Sequence, residues 1–243
     1  GVMLAGAVRS YVNRFGVTPG RQVAVFTNNE DGLRTAIDLA AKGVHVSAVI
    51  DARKGEFVVD TSGRKGLRSI TLNDGRRIEA DCLAVSGGWS PNVNLTCHHR
   101  SRPVWNDTVM GFVPGNDLPA GMQVAGAANG QMTLAAALIS GHDAAKAMAR
   151  DLGFGRGAGN APKASDETFD TSAHWYTTGS KSRAWVDLQN DVTAKDMEQS
   201  LSEGFSAVEH VKRYTTLGMA TDQGKTSNTL GIAIMAAASG NAI

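Results

Sequence analysis

The stretch from Gln22 to Ile50 sets the fold class. Gln22 to Phe26 is a short apolar run of the buried-strand type. Gly32 to Lys42 places Leu33, Ala36, Ile37 and Ala40 on one helical face, and Gly43 stops the helix. A second apolar run, Val44 to Ile50, follows. Two strands joined through a helix pair in parallel, because a parallel pair needs a long crossover. The turn after the first strand decides whether such a unit holds a dinucleotide. A binding turn reads G-x-G-x-x-G, with glycine where backbone meets pyrophosphate. This one reads Thr27-Asn28-Asn29-Glu30-Asp31-Gly32, and only the last glycine is present. Glu30 and Asp31 suit a helix N-terminus but repel a phosphate there. The unit reads as a Rossmann half that keeps its fold without its nucleotide. Asp51, ending the second strand, would bond a ribose only beside an intact glycine loop.

On either side of this unit the pattern stays mixed. Residues 2 to 15 put Leu4, Val8, Tyr11 and Phe15 on one helical face, stopped by Gly16, so the chain starts inside a helix. Phe57 to Asp60, Ser69 to Leu72 and Arg76 to Glu79 read as short strands. The last two flank Asn73-Asp74-Gly75, a hairpin signal. Little room remains between Asp51 and Phe57 for a crossover helix. Cys82 to Ser86 is another buried strand, and residues 93 to 121, with Pro103, Pro114 and Pro119, read as irregular. Val124 to Arg150 then reads as a short apolar strand, a glycine-bracketed turn (Gly126 to Gly130) and a long helix. Leu134, Leu138, Ala145 and Met148 line one face of that helix.

Residues 153 to 172 are rich in Gly, Ala, Ser and Asp and read as a linker. Trp185 to Leu188 is extended. Thr193 to Asp196 forms a capping box, with Val192 and Met197 placed as its hydrophobic staple. That helix ends at Gly204. Ser206 to Glu209 reads as a second capping box, opening a helix that runs to about Tyr214, and another helix starts at Asn228.

A formal net charge of +1 gives no electrostatic case for nucleic acid or a membrane surface as partner. The apolar runs are short of a membrane span. Cys82 and Cys97 make no disulfide framework and point to a reducing, cytoplasmic compartment. Adjacent histidines rarely converge on one ion, so Cys97-His98-His99 is not read as a metal site. His142 and His210 read as surface or capping residues, and spacing alone proposes no catalytic residue. Gly1 in place of Met, and an end at Ile243 within an apolar stretch, read as a fragment of a longer polypeptide.

Three motifs carry a family resemblance. Residues 84 to 92, AVSGGWSPN, resemble the A-T-G-x-x-P-N segment of pyridine-nucleotide-disulfide-reductase-like flavoproteins. Residues 124 to 130, VAGAANG, resemble their later A-G-D segment, whose Asp holds the flavin ribityl chain. Ala127 replaces that Asp, which argues against FAD and for a different dinucleotide at the same place. Residues 186 to 228 resemble a small iron–sulfur domain of the ferredoxin-like BFD type. Its two cysteine pairs are replaced by Asp187 and Gln189 and by Thr221 and Gly224, so the thiolates a cluster needs are missing.

Together the motifs resemble the alpha-subunit family of heterotetrameric sarcosine oxidases, from about Met3 to Met235. KRYTTLGMATDQGKTSN is especially close. The implied fold is α/β, a Rossmann-like three-layer remnant with a parallel sheet and β-hairpin, followed by a small helical BFD-like module. The implied division is an incomplete FAD/NAD(P)-binding-like domain over 1–152, a linker over 153–183, the BFD-like module over 184–235, and the start of a linker to a folate-binding domain over 236–243. The family's first nucleotide-binding half and its folate-binding domain are not in this sequence. The segment between Asp51 and Phe57 is shorter than in the family.

The resemblance implies oxidation of sarcosine at FAD on a beta subunit, with electrons passing to FMN at the alpha–beta interface and on to oxygen, giving hydrogen peroxide. NAD sits in the alpha subunit, and tetrahydrofolate accepts the one-carbon unit. Beta, gamma and delta subunits are the implied partners. The matching positions for NAD are Gly126, Ala127, Met132, Thr133 and Leu134, with Gly87 and Gly88 behind; packing glycines are the alternative. For FMN they are Arg213, Thr215, Thr216, Lys225, Thr226 and Ser227; a helix cap with a solvated charge is the alternative. Two rival readings are an NAD(P)H-dependent flavoprotein reductase and a non-catalytic interaction subunit.

Overall fold

The computed structural model describes residues 1–154, 159–165, 167–180 and 182–243. Part of the stretch read as a linker, residues 155–158, 166 and 181, lies outside them. The chain divides into two compact units, Gly1–Gly88 with Thr171–Ile243, and Trp89–Asp170.

The first unit opens with β1 (Val2–Leu4), α1 (Ala5–Phe15), β2 (Gln22–Thr27), α2 (Glu30–Ala41) and β3 (His45–Asp51). Then come β4 (Val58–Ser62), β5 (Ser69–Leu72), β6 (Arg77–Glu79) and β7 (Cys82–Ser86). The main sheet has the order β1-β7-β2-β3, and every pair in it is parallel. β4, β5 and β6 form a separate antiparallel sheet. Alternation along the buried strands assigns each residue to one layer. Val23 and Val25 of β2, with Cys82 and Ala84 of β7, pack with Ala5 and Val8 of α1 and Ala36 and Leu39 of α2. Ala24 and Leu83, on the opposite face, pack with Ile70 and Leu72 of β5. The result is the expected three layers, with the antiparallel sheet taking the place of a crossover helix after β3.

The N-terminus differs from expectation. Val2–Leu4 is a strand lying parallel to β7, with Val2 opposite Leu83. The helix begins only at Ala5, so its inward face is Ala5, Val8 and Val12. Leu4, Tyr11 and Phe15 are exposed. A strand of this length has no periodicity of its own, and counting it as helix shifted the face.

The second unit carries a hairpin in the stretch read as irregular: β8 (Val104–Asn106) and β9 (Gly111–Val113), with Trp105 opposite Phe112. Its turn is made by Asn106, whose side chain accepts the amides of Thr108 and Val109, and by Met110 at φ 48°. No glycine marks it. Val124 and Ala125 join no strand. A 3-10 turn, Gly126–Asn129, leads to α3 (Leu134–Asp151). No residue of α3 is fully buried, so its apolar stripe is not a core face.

The rest of the first unit is β10 (Trp185–Asp187), β11 (Val192–Thr193), α4 (Ala194–Ser202), α5 (Val208–Thr215) and α6 (Asn228–Ser239). Val192, Met197, Val211, Leu217 and Ile234 form its core. Thr193 and Asp196 make the reciprocal capping box, and the stapling residues Val192 and Met197 are both buried. The second capping box does not form: Ala207 is the N-cap of α5 and has no side chain to accept a bond.

Candidate functional site

Ligands of open α/β sheets bind outside the carboxyl ends of the strands. Here those ends are Thr27, Asp51 and Ser86. Gly32 keeps the role of the last fingerprint glycine, since a Cβ there would lie 2.3 Å from the Cβ of Thr27. The absent glycines are replaced by polar side chains bonded to one another. Asn29 caps α2, accepting the amides of Asp31 at 2.9 Å and Gly32 at 3.3 Å. This cap starts the helix at Glu30, ahead of the expected Gly32. The Asn29 amide group also donates to the Ser86 carbonyl at 3.0 Å and to Asn28 Oδ1 at 2.7 Å.

Asp51 is not free for a ribose. Arg53 donates through Nε to Asp51 Oδ1 at 2.9 Å and through Nη2 to Oδ2 at 2.7 Å. Its Nη1 bonds Glu30 at 2.5 Å. The hydrogen-bonded guanidinium holds the Asp51 carboxyl below its usual range, and the same bond raises Arg53. Sequence reasoning missed Arg53 because its partners come from the ends of different elements. Beside this cluster His174 stacks on Phe57, centroids 4.7 Å apart, and meets Phe26 edge-on at 5.4 Å. Burial pushes its imidazole below the ordinary pKa.

Of the residues matched to NAD, Gly87 and Gly88 follow β7 in the first unit, and the others belong to the second. There Gly126 has φ 66°, and its amide donates to Ser140 Oγ at 3.2 Å. Ala127 lies exposed in the 3-10 turn, and Met132 is half-buried just before the cap. Thr133 caps α3 by accepting the Ala136 amide at 3.2 Å. The Leu134 amide donates to the Glu167 carboxylate at 3.1 Å. The start of α3 therefore already accommodates an oxyanion, the chemistry a dinucleotide phosphate would need.

The residues matched to FMN lie at two helix ends. Thr215 closes α5 and donates its hydroxyl to the Val211 carbonyl at 2.7 Å, while Thr216 is the left-handed cap. Thr226 donates to Asp222 at 2.6 Å, and the buried Ser227 reaches Asp187 at 3.5 Å. Arg213 and Lys225 are exposed and have no ion-pair partner among the described residues. An exposed Lys225 just before α6 fits a phosphate monoester, with Arg213 in the last turn of α5, but most of the hydroxyls already serve the fold.

The four positions that replace cysteines are brought together. Asp187, 3% exposed, accepts amides from Gln189 at 2.9 Å, Asn190 at 3.2 Å and Gly218 at 2.9 Å. Thr221 donates to the Gln189 side chain at 2.8 Å. Gly224 has φ 75°, and a Cβ there would fall 2.1 Å from Asn228 Oδ1. A hydrogen-bonded carboxylate thus ties together the loops after β10 and after α5. Among the described residues, no group of three or more His, Cys, Asp and Glu is placed to hold a metal ion. None of the described helices is long and apolar enough to cross a membrane. A cavity of about 300 Å³ lined by Tyr176, Arg183, Lys195 and Glu198 contains none of the matched residues.

Residues 181–243 match the family described as Sarcosine oxidase A3 domain. Over 259 residues the chain is 41% identical to sarcosine oxidase subunit alpha of Rhizobium meliloti (strain 1021), covering 99% of this chain and 26% of that one. The subunit alpha of Corynebacterium sp. (strain P-1) is 36% identical over 281 residues, covering 99% of this chain and 28% of its own. Among solved structures, the crystal structure of L-proline dehydrogenase from P. horikoshii superposes with a TM-score of 0.76 at 18% identity, over 100% of this chain and 49% of that one. That likeness is one of fold. The chain spans about a quarter of the length of the curated relatives it matches, and across nearly all its own length it is a relative of sarcosine oxidase alpha subunits.

Proposed function

We propose that this chain is a section of the alpha subunit of a sarcosine oxidase, an oxidoreductase that converts sarcosine to glycine with O2 as acceptor. The products are hydrogen peroxide and a one-carbon unit passed to tetrahydrofolate. The observation that carries the reading is sequence identity of 35–41% spread over 99% of the chain. The catalytic groups for amine oxidation, and FAD, belong to a beta subunit in this reading, and gamma and delta subunits complete a cytoplasmic assembly. This chain contributes cofactor holding.

For NAD, the start of α3 supplies the Leu134 amide and the helix dipole, and Gly126 and Ala127 present backbone at close range. Met132 and Thr133 flank that approach, while Gly87 and Gly88 belong to the first unit and are left out of this reading. Support comes from the Glu167 carboxylate, which already sits on the Leu134 amide as an oxyanion would. For FMN, Arg213 and Lys225 would neutralise the phosphate, and Thr215, Thr216, Thr226 and Ser227 shape the loops that present them. When bound, FMN supplies the step that passes electrons to oxygen. The rival reductase reading needs an open second nucleotide crevice, and the bonding among Asn28, Asn29 and Ser86 weighs against one.

The test is cofactor analysis of the whole complex. NAD and FMN are both expected among the released nucleotides. Lys225→Ala should lower FMN content and leave NAD content unchanged. Full FMN retention in that variant would remove the FMN assignment, and a complex without NAD would remove the other.

A further inference from the structure

The carboxyl-end crevice of the parallel sheet is occupied by the chain itself. Thr171 forms an antiparallel bridge with Asn29. The Ser172 amide donates to the Asn28 carbonyl at 3.0 Å, and Asn28 Nδ2 donates to the Ser172 carbonyl at 2.7 Å. A Cβ at Gly88 would lie 3.5 Å from Thr171 Oγ1, so the glycine after β7 faces this segment. Two residues further on, the His174 ring stacks on Phe57 at 9° between planes, with Phe26 at its edge. Its Nε2 is 3.2 Å from Thr177 Oγ1, which fixes the ring from the far side.

These contacts reproduce the requirements of a nucleotide. Backbone lies across the strand ends where a pyrophosphate would run. A flat heteroaromatic ring lies on a phenyl face, where a base would stack. We propose that residues 171–177 are a built-in strap that takes the nucleotide's place in this crevice, so that strap docking and nucleotide entry exclude one another. The strap pairs the backbone carbonyl and the side-chain amide of Asn28, which follows β2. The inference concerns the first unit alone and does not depend on where NAD or FMN sits in the whole enzyme.

The test uses the full 243-residue chain, with AMP as probe and backbone amide exchange as readout. In the unsubstituted chain the Ser172 amide should be protected to the level of the β2 amides, and that protection should fall in proportion to any AMP bound in this crevice. Ser172→Pro removes the amide that bonds Asn28, and His174→Ala removes the stacked ring. The chain carrying both changes should bind AMP at least about tenfold more tightly than the unsubstituted chain. A Ser172 amide that exchanges freely in the unsubstituted chain overturns the proposal without any variant. So does AMP binding in this crevice with the Ser172 amide still protected, or a folded double variant that binds AMP no better.

Discussion

The Asp187 carboxylate accepts the backbone amide of Gly218 at 2.9 Å and so ties β10 to the loop after α5. It is buried and also accepts the Gln189 and Asn190 amides. Asp187→Asn would set an amide group against donors and leave at least one of them unpaired. The expected loss is about 2–4 kcal/mol, from the charged hydrogen bonds and the unpaired buried donor. Urea unfolding followed by circular dichroism measures it, and an unchanged midpoint would refute the organising role.

Gly224 and Asn228 form a second coupled pair. Gly224→Ala adds a Cβ 2.1 Å from Asn228 Oδ1 on a residue at φ 75°. The conformational strain alone is about 1–2 kcal/mol. Adding Asn228→Ala should relieve the clash and leave the strain, so the double variant is more stable than additivity predicts. A double-mutant cycle with no coupling energy would show that the loop simply moves.

Arg53 sits between Asp51 and Glu30, with 14% of its side chain exposed against 4% for Asp51. Arg53→Ala leaves the Asp51 charge buried and uncompensated, at a cost of about 3–5 kcal/mol near neutral pH. The sign with pH follows from the depressed carboxyl. In the unsubstituted chain, stability from this pair is full above the unfolded carboxyl pKa of about 4 and is lost as pH falls through the lower folded value. The gap between the unsubstituted chain and the variant should therefore narrow below about pH 4. Denaturant titrations across that range check it, and a constant gap would count against the pairing.

His174 gives a dependence at milder pH. Its folded pKa lies below the ordinary value because burial disfavours the charged ring. Below the unfolded pKa of about 6.5 the unfolded chain binds the extra proton first, so stability should fall with pH there. His174→Phe keeps a ring against Phe57 and removes the proton. Its thermal midpoint should lose that slope, and a midpoint that tracks the unsubstituted chain from pH 7 to about 5 would contradict the assignment.

Much of this fold is legible in the residues. The pattern of Gln22 to Ile50 yields the parallel βαβ unit, and Thr193 to Asp196 marks its helix to the residue. Both depend on local chemistry, a buried run or a reciprocal cap. What the pattern hides is bonding between distant segments. β1 is a strand because β7 lies beside it, and the β8–β9 turn rests on Met110 in a left-handed conformation that no glycine announces. The candidate sites divide the same way. That Asp187, Gln189, Thr221 and Gly224 belong together comes from the resemblance, but the network that Asp187 builds cannot be read from the residues. Glu167 on the Leu134 amide, Arg53 on Glu30 and Ser172 on Asn28 each join residues whose pairing carries no spacing signal.

The segment laid over Asn28 and Asn29 has a historical consequence. A lineage moving toward a coenzyme in this crevice would need several substitutions: glycines after β2, Arg53 and its acids undone, and the stretch from Thr171 displaced. Displacing the stretch alone opens the crevice to a mononucleotide, and the other changes are what a full coenzyme would add. Descendants of such a chain would sooner recruit a coenzyme elsewhere on the molecule than fit one here.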